Sequence, residues 1–420
     1  MTSTDDAVEP SDPRASAPAV ELVETWPRET TLDHPDIADT ASAWLEMFAT
    51  AEESIDLGEF YGATVPDSPL EPILEALEAA VVRGVRVRLL IDAKFYARQP
   101  EVADRLAAAG VEVRRLDLSE LGGVMHAKYF VVDGRAAYIG SANFDWRSLA
   151  HIHELGVRLH EPALIAAIEA IWAKDWSAAD ADPPTDPATN AEDPVDRAPA
   201  PALPTPPRIA PSSGSGQVEL SYAEQPHRIA LVASPRDLLP DPASWDLPRL
   251  LGMIDSAKRQ IQVELLSYAL VGYDGARFDG IDRALRAAAA RGVQVELLVA
   301  DWNKRPPALA DLQSLQRVPG IQVRMATIPP ASEGFIPFAR VIHSKLMIVD
   351  GQTTWLGTSN FSGDYFFKSR NLGVIVDGAP FAADVGRIFT DLWNSTYVYD
   401  LDPDKVYEPP QIAPPEPSSD

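Results

Sequence analysis

The chain has 420 residues, of which 46% are hydrophobic and 23% charged, a composition typical of a globular protein with room for more than one domain. Its 62 acidic and 36 basic residues give a formal net charge of -26, which argues against loose binding to nucleic acid or anionic membranes but not against one lysine-containing pocket. The absence of cysteine excludes disulfides and thiolate metal sites, and it predicts a reducing, cytoplasmic setting.

Three segments have the composition of unfolded chain. Residues 1–20 form an acidic, proline-rich arm without the apolar stretch of a signal peptide, and the sequence contains no run of about eighteen apolar residues that would predict a transmembrane segment. Residues 180–216 are dominated by proline, acidic residues, serine and glycine, as in a flexible linker, and 402–420 form a disordered tail. We therefore predict two folded domains, 21–179 and 217–401.

The two predicted domains repeat one succession of elements. Each begins with a helix and an apolar strand, continues with a helix that ends at an Arg-Gly-Val sequence before a buried strand, and then has a shorter strand. The paired segments are 41–62 and 247–270, 72–94 and 281–304, and 110–117 and 320–327. This succession predicts an α/β fold with mostly parallel sheets, and the repeat predicts a pseudo-two-fold axis between the domains.

The most specific repeat follows these elements. Its copies are HAKYFVVDGRAAYIGSAN, starting at His126, and HSKLMIVDGQTTWLGTSN, starting at His343, and both contain His-x-Lys-x4-Asp-x6-Gly-Ser/Thr-x-Asn. A second matching corner comes eleven residues after each Asn, with Glu154 in the first copy and Asn371 in the second. The shared positions are His126, Lys128, Asp133, Ser141 and Asn143 in one copy and His343, Lys345, Asp350, Thr358 and Asn360 in the other.

The spacing of this motif predicts a phosphate site. His126 and Lys128 are two residues apart in an extended strand, so both side chains point to one face. An Asp-Gly turn at 133–134 predicts a hairpin that returns the chain to a loop beside them. Two such copies would surround one cavity with imidazoles, ammonium groups, hydroxyls and amides that can hold a phosphate. One imidazole could attack phosphorus and the other could protonate the leaving oxygen and then activate water, without a metal or another cofactor.

The doubled motif resembles that of the phospholipase D superfamily. The sequences after each Asn, NFDWRSL and NFSGDYF, together with PFARVIHSK at 337–345 and DLWNSTYVYDL at 391–401, are similar to the branch that contains phospholipase D family members three and four, which are 5′-exonucleases on single-stranded nucleic acid, and poxvirus proteins. The resemblance implies two similar phospholipase D-like domains with the active site in the cleft between them. It also implies a hydrolase, more specifically a metal-independent phosphodiesterase, that acts on single-stranded nucleic acid; we predict no stable protein partner.

The resemblance carries the site residues over by position. It implies that His126, Lys128, Asn143 and their counterparts form the site, that Ser141 and Thr358 line the phosphate pocket, and that Glu154 orients a histidine across the pseudo-dyad. Asn371 replaces this acid in the second copy, and an amide cannot stabilise an imidazolium as a carboxylate does. We therefore expect the histidines to differ in basicity, with His126 as the nucleophile and His343 as the acid and base.

Several alternatives remain at this point. The same chemistry serves a phospholipase D or a cardiolipin synthase-like phosphatidyltransferase acting on phospholipid, and the apolar loop 329–338 could admit acyl chains. A non-catalytic binding protein is a third interpretation. Asp133 and Asp350 could simply form turns, and His151 with His153 could bind a metal, although no third ligand is suitably spaced. Aromatic residues that could either stack on bases or form the core are Tyr61, Phe144, Trp146, Tyr268, Phe361, Tyr365 and Phe366.

Overall fold

The computed structural model describes residues 18–180, 203–206, 208 and 216–413. Most of the predicted arm and linker therefore lies outside the described residues. The tail differs from its prediction as far as residue 413: Ile412 is buried, and its carbonyl accepts a hydrogen bond of 2.9 Å from the N–H of Phe338. Burial of this isolated apolar side chain, together with the backbone hydrogen bond, accounts for the ordered contact.

Helices and strands of the first half follow the predicted order. They are β1 (Val20–Thr25), β2 (Ala38–Asp39), α1 (Thr40–Ala49), β3 (Ser54–Glu59), β4 (Gly62–Ala63), α2 (Glu71–Arg83), β5 (Arg86–Asp92), α3 (Ala93–Tyr96), α4 (Glu101–Ala108), β6 (Glu112–Leu116), β7 (Tyr129–Val132), β8 (Ala136–Gly140), β9 (Phe144–Asp145), β10 (Ile152–Leu159) and α5 (Pro162–Ala178).

The second half repeats this order with one further hairpin at its start. Its elements are β11 (Gln217–Tyr222), β12 (Gln225–Ser234), α6 (Asp246–Ser256), β13 (Gln260–Leu265), α7 (Gly280–Ala290), β14 (Gln294–Ala300), α8 (Ala308–Gln316), β15 (Ile321–Ala326), β16 (Val341–Ile342), β17 (Leu346–Val349), β18 (Thr353–Gly357), α9 (Gly363–Phe367), β19 (Asn371–Asp377), α10 (Ala379–Trp393) and β20 (Val398–Asp400).

Each half contains a large mixed sheet. Among the described residues the strand orders are β2-β1-β10-β8-β7-β3-β5-β6 and β11-β12-β19-β18-β17-β13-β14-β15-β20. The α/β class is confirmed, but the prediction of mostly parallel sheets is wrong. Parallel pairing occurs where helices connect strands, as in β3-β5-β6 and β13-β14-β15, whereas β7 to β8 and β17 to β18 are antiparallel. Only three residues connect the strands of each hairpin, 133–135 and 350–352, and connections this short permit only antiparallel pairing.

The predicted Arg-Gly-Val helix ends are confirmed, with one difference. Gly84 follows α2 and Gly292 follows α7, and both have left-handed φ angles, 91° and 92°. Instead of remaining at the end of its own helix, the Arg83 guanidinium donates to Phe48 O at 3.0 Å, near the end of α1. Arg291 likewise donates to Ile254 O at 2.8 Å, near the end of α6. Each arginine therefore satisfies carbonyls of the preceding helix.

One hydrophobic core spans both halves. It contains Ile139 and Val157 from the first sheet with Leu356 and Val374 from the second. The tryptophans at the ends of the halves are buried packing residues: Trp172, Trp176 and Trp393. Within the residues that the structure describes, no helix combines the length and apolar character needed to cross a membrane.

Backbone pairing also crosses between the halves. β10 pairs in parallel with β16, in the register Ile152 with Val341 and His153 with Ile342. On the other side of the pseudo-dyad, Met125 forms a parallel bridge with Arg370. Since His126 follows Met125 and His343 follows Ile342, these contacts bring both motif histidines to the interface between the halves.

Candidate active site

A cavity of about 540 Å³ lies at this interface, and both motif histidines line it. Asn143 from the first motif also contributes to the wall, together with Arg147 from the first half and Asp364 from the second. Aromatic side chains form much of the remaining surface: Phe60, Tyr61, Phe95, Tyr273, Trp302, Phe338 and Tyr365. The cavity therefore combines two imidazoles with an apolar, aromatic wall.

The tautomer of His126 follows from its partner. His126 Nδ1 lies 3.1 Å from Asn371 Oδ1, across the interface between the halves. The orientation of the amide is fixed because its Nδ2 group donates to Tyr365 O at 2.9 Å and to Ser369 O at 3.2 Å. Asn371 therefore offers His126 an acceptor, so Nδ1 carries the proton and Nε2 keeps a lone pair.

His343 has a carboxylate in the equivalent position. Its Nδ1 lies 2.8 and 3.0 Å from the two oxygens of Glu154, which is fully buried. The predicted orientation of a histidine by Glu154 across the pseudo-dyad is thus present in the geometry. A carboxylate stabilises an imidazolium, whereas the amide beside His126 does not.

Ser141 and Thr358 lie behind these orienting groups. The Ser141 hydroxyl donates to Glu154 Oε2 at 2.6 Å, and the Thr358 hydroxyl donates to Asn371 Oδ1 at 2.9 Å. Neither residue is part of the cavity wall. The expectation that these hydroxyls line the phosphate pocket is therefore wrong, because each is already committed to an orienting side chain.

Both histidines titrate below their ordinary range. Burial lowers the pKa of His126 well below its usual value, and the charges of Lys128, Lys345 and His343 lower it further. Burial also lowers the pKa of His343, but Glu154 opposes this shift. Burial raises the pKa of Glu154, yet its interactions with His343 and Lys345 outweigh that effect, and the net shift is downward. The two imidazoles therefore have different electrostatic environments, as the Glu-to-Asn difference predicts.

The two lysines lie immediately behind the histidines. Lys128 Nζ donates to the His126 carbonyl and Lys345 Nζ to the His343 carbonyl, and both lysines are almost completely buried. Burial lowers the pKa of Lys128 well below its usual value and the pKa of Lys345 to about 7. Lys128 also lies 4.8 Å from the centre of the Phe60 ring. A bound anion would favour the charged form of both lysines.

The motif asparagines are held differently. Asn360 Oδ1 accepts the Ser267 N–H at 3.0 Å, and the Asn143 N–H donates to Ser148 Oγ at 3.3 Å. Among the described residues, Asn143 Oδ1 and Asn360 Nδ2 have no hydrogen-bond partner although both atoms are buried. Buried polar atoms without partners are unfavourable unless a ligand satisfies them. Asn143 lines the cavity and is placed to meet a polar substrate, whereas Asn360 is not part of the cavity wall.

Asp133 and Asp350 lie at the distant ends of the hairpins. Their φ angles are 54° and 56°, and the glycine after each also has positive φ, as in a type I′ turn. Asp133 accepts the N–H groups of residues 52–54, and Asp350 those of residues 258–260. Seven residues of extended chain, roughly 20 Å, separate Asp133 from His126. Of the two roles open for these motif aspartates, catalytic or structural, the geometry favours the structural one, because they hold the starts of β3 and β13.

Asp92 is a polar residue of the site region that the motif did not indicate. Its carboxylate accepts the N–H of Met125 at 2.7 Å and that of Phe95 at 2.9 Å, and therefore fixes the backbone next to His126. Burial raises the pKa of Asp92 to about 6, although these backbone hydrogen bonds oppose the shift. The sequence signal that could have indicated Asp92 is the matching acid, Asp301, which directly follows the equivalent strand β14.

The aromatic candidates divide into two groups. Tyr61 and Tyr365 line the cavity, whereas Trp146 is only partly buried and does not. Four candidates belong to the buried core: Phe144, Tyr268, Phe361 and Phe366. Four further cavity aromatics come from segments that carry no motif and were therefore missed: Phe60, Phe95, Tyr273 and Trp302. Phe338 also lines the cavity and belongs to the loop 329–338, which was considered only for acyl chains.

His151 and His153 do not combine into a metal site in the geometry of the described residues. His153 contacts Glu264, and the nearest acid to His151 is Glu333, at 4.0 Å. No group of three or more His, Asp or Glu side chains suited to a metal ion occurs in the described part of the chain.

Comparison with known proteins identifies the class. The family described as "Cardiolipin synthase, PLD-like domain" matches residues 44–176 and 250–393, one match in each half. Phospholipase D Y of Dictyostelium discoideum is 32% identical over 388 residues, which cover 87% of this chain and 88% of that protein. The 5′-3′ exonuclease PLD4 of Mus musculus is 31% identical over 420 residues, covering 91% of this chain and 79% of that protein.

A solved structure shows the same fold. Phosphatidylserine synthase of Haemophilus influenzae superposes with a TM-score of 0.60 at 13% identity, covering 86% of this chain and 85% of that structure. This superposition shows the fold, and the family match and the relatives, together with the doubled motif, show an enzyme with two phospholipase D-like domains that acts on phosphodiesters. The chain belongs to the phospholipase D superfamily and is a phospholipase D-type phosphodiesterase.

Proposed function

We propose that this phosphodiesterase acts through a covalent phosphohistidine at His126 and removes nucleotides from the 5′ end of single-stranded nucleic acid. The observation that carries the mechanism is the unequal pairing of the histidines. His126 faces an amide, and its pKa is held well below the usual range by burial and by neighbouring cations, so its Nε2 lone pair is available near neutral pH. His343 faces the Glu154 carboxylate, which supports the protonated form required of a general acid.

The first step forms one bond and breaks one. His126 Nε2 attacks phosphorus as the bond from phosphorus to the leaving oxygen breaks, and His343 Nε2 gives its proton to that oxygen. Lys128 and Lys345, charged when the anionic substrate is bound, stabilise the negative charge on the non-bridging oxygens. In the second step water attacks phosphorus, its proton passes to His343, and the bond from phosphorus to nitrogen breaks. No step requires a metal ion.

The aromatic cavity wall supports nucleic acid as the substrate. Tyr365 and Phe60 lie against His126, with ring centroids 4.9 and 5.0 Å from its imidazole, so the groups that flank a bound phosphate would meet aromatic surfaces. Bases stack on such surfaces without sequence preference. Relatives named 5′-3′ exonucleases, which align over 91% of this chain, support the same substrate class. The lack of cysteine supports a cytoplasmic setting.

A phospholipid substrate is the second candidate, and the rim of the cavity favours it. Phe338, which lines the cavity, is 47% exposed, and Phe335 in the same loop is 48% exposed. Exposed aromatics beside a site can insert into a membrane interface. Water or an alcohol could resolve the phosphohistidine, so this candidate includes phosphatidyl transfer.

Product analysis in the presence of EDTA distinguishes the candidates. A single-stranded oligonucleotide with a 5′-hydroxyl and phosphatidylglycerol vesicles are incubated in parallel with the wild type, His126→Asn, His343→Asn and, as a matched control, His160→Asn. The proposal predicts stepwise release of nucleotides from the 5′ end by the wild type and the control only. Released head group or a new phospholipid, with the oligonucleotide intact, would favour the lipid candidate. Dependence of activity on an added metal would contradict the mechanism.

A further inference from the structure

The backbone of each motif histidine is held by the opposite half. The N–H of His126 donates to the Arg370 carbonyl at 2.9 Å, and the N–H of His343 donates to the His153 carbonyl at 2.8 Å. Residues 153 and 370 occupy equivalent places in the repeat, since each directly precedes the side chain that orients the opposite histidine. The carbonyls of these two residues therefore set the position of the imidazoles relative to each other.

The two side chains at these places are anchored by buried ion pairs that also cross between the halves. Arg370 Nε and Nη2 donate to the two oxygens of Asp175, both at 2.7 Å, with both side chains almost fully buried. His153 Nδ1 lies 3.2 Å from Glu264 Oε1, and both side chains are inaccessible. The Ser344 hydroxyl donates to the same oxygen of Glu264 at 2.7 Å.

The hydrogen bonding of the His153–Glu264 pair is incomplete for an ion pair with a purely structural role. His153 Nε2 and Glu264 Oε2 are buried and have no hydrogen-bond partner among the residues that the structure describes. A buried ion pair with unsatisfied atoms contributes little stability, or opposes folding, compared with apolar packing. A positional role accounts for its presence, because the pair lies directly behind the backbone of His343 and Ser344.

We infer that His153 and Arg370 are positioning residues for the phosphodiester reaction. The charged His153–Glu264 pair holds His343 in its active position. The Arg370–Asp175 pair holds His126 in the same way. The two pairs are equivalent in place but differ in chemistry. A guanidinium does not lose its proton in proteins, whereas an imidazole can lose its charge. Only the support behind His343 therefore loses its charge as the pH rises. Burial raises the pKa of Asp175, although Arg370 opposes this shift, so the other pair is weakened only as the pH falls.

The groups around His153 determine the sign of this effect. Burial alone would lower the pKa of His153, but Glu264 on β13 and, more weakly, Glu24 on β1 outweigh burial and the opposing His34, so the pKa is raised above its usual value. His153 therefore keeps its charge to a higher pH than an ordinary histidine. As the pH rises through this pKa, the ion pair is lost and the support behind His343 weakens.

Turnover of bis(4-nitrophenyl) phosphate tests this inference separately from the nucleic-acid proposal, because this phosphodiester is neither a nucleotide nor a lipid. We compare kcat and KM of the wild type, His153→Gln, Asp175→Asn and the control His151→Gln over about pH 5 to 9. A small misplacement of a catalytic group costs one to two orders of magnitude, so we expect a loss in kcat of roughly tenfold with little change in KM.

The dependence on pH distinguishes positioning from a general loss of stability. The ratio of wild-type to His153→Gln kcat should be largest at acidic pH and approach one at alkaline pH, where the wild type has also lost the charge. The ratio for Asp175→Asn should not vary in this way. A wild-type kcat in both variants, or the same ratio at every pH for His153→Gln, would overturn the inference. If His153→Gln does not fold, nitrogen-15 NMR titration of the wild type decides: a neutral His153 imidazole throughout the range would overturn it equally.

Discussion

Glu154 of the first half and His343 of the second half form a hydrogen-bonded pair across the pseudo-two-fold axis, with 2.8 Å between Oε2 and Nδ1. The equivalent pair, Asn371 and His126, is separated by 3.1 Å and has an amide where the first has a carboxylate. The halves therefore exchange orienting side chains, and the exchange is unequal. This inequality separates the proposed roles of the two histidines, since a nucleophile must be neutral and a general acid must be protonated.

Asn371→Asp should shift the acidic limb of the pH profile of kcat/KM to higher pH. A carboxylate at this position raises the pKa of His126, so a higher pH is needed to obtain the neutral nucleophile. The measurement is kcat/KM for bis(4-nitrophenyl) phosphate across the pH range, with Thr353→Ser, a distant substitution on β18, as the control. An acidic limb at the wild-type position would contradict the assignment of His126 as the nucleophile.

Glu154→Gln should shift the alkaline limb of the pH profile of kcat/KM. Burial lowers the pKa of His343, and the Glu154 carboxylate opposes this shift. Without the carboxylate the pKa of His343 falls further, so the general acid loses its proton at a lower pH. The alkaline limb should therefore shift to lower pH, and activity near neutral pH should fall by about tenfold to a thousandfold. The decrease should be strongest for substrates with poor leaving groups. An equal decrease for 4-nitrophenol and alkoxide leaving groups would be evidence against His343 as the acid.

Asp133→Ala should reduce stability without removing activity. The variant loses three backbone hydrogen bonds at the start of β3, and we expect the free energy of unfolding to fall by roughly 1–3 kcal/mol. Partial burial raises the pKa of Asp133, but these hydrogen bonds outweigh it and the pKa is lowered. Its stabilising effect is therefore present above the unfolded-state pKa of about 3.9 and is lost as the pH falls through the folded-state pKa. Urea unfolding and kcat of the same samples, with Arg135→Ala as the control, measure both effects; a large loss of kcat in the folded variant would restore a catalytic role.

Phe338→Ser and Phe335→Ser form a matched pair that tests the substrate class. Both side chains are about half exposed, but only Phe338 lines the cavity. Loss of one stacked base costs about 1–3 kcal/mol, so Phe338→Ser should lower kcat/KM for a single-stranded oligonucleotide by roughly tenfold to a hundredfold, and Phe335→Ser should not. Turnover of bis(4-nitrophenyl) phosphate should be unchanged in both. Equal weakening of vesicle binding in both variants, with no effect on the oligonucleotide, would indicate a membrane-facing loop.

The sequence predicts most of the structural features that are repeated in both halves or that depend on neighbouring residues. Strand, helix and hairpin positions follow from hydrophobic period, the Arg-Gly-Val helix ends and the Asp-Gly turns, because these signals act within a few residues. The meeting of His126 and His343 follows from the doubled motif. The prediction of mostly parallel sheets was wrong because the hairpin that the Asp-Gly turn indicates makes β7 and β8 antiparallel, and β10 also pairs antiparallel with β8.

Other features of the site depend on contacts that no local pattern contains. Ser141 and Thr358 turn towards the orienting side chains of residues 154 and 371, which lie on neighbouring strands. The resemblance implied a phosphate contact instead, because the motif does not contain these partners. The aromatic wall combines segments from both halves, and only the fold brings Phe60 and Trp302 to one cavity. The ion pairs behind the histidines are likewise long-range, since Glu264 and Asp175 each contact the opposite half.

The most direct test of the account is to trap the covalent intermediate. In His343→Asn, bis(4-nitrophenyl) phosphate can still react in the first step because 4-nitrophenolate leaves without a proton, whereas the second step lacks its general base. Intact-mass and peptide mass spectrometry after an alkaline quench should show one 4-nitrophenyl phosphoryl group on the peptide that contains His126, and none in His126→Asn. An adduct on His343 in His126→Asn, or an active enzyme that never carries an adduct, would contradict the central claim.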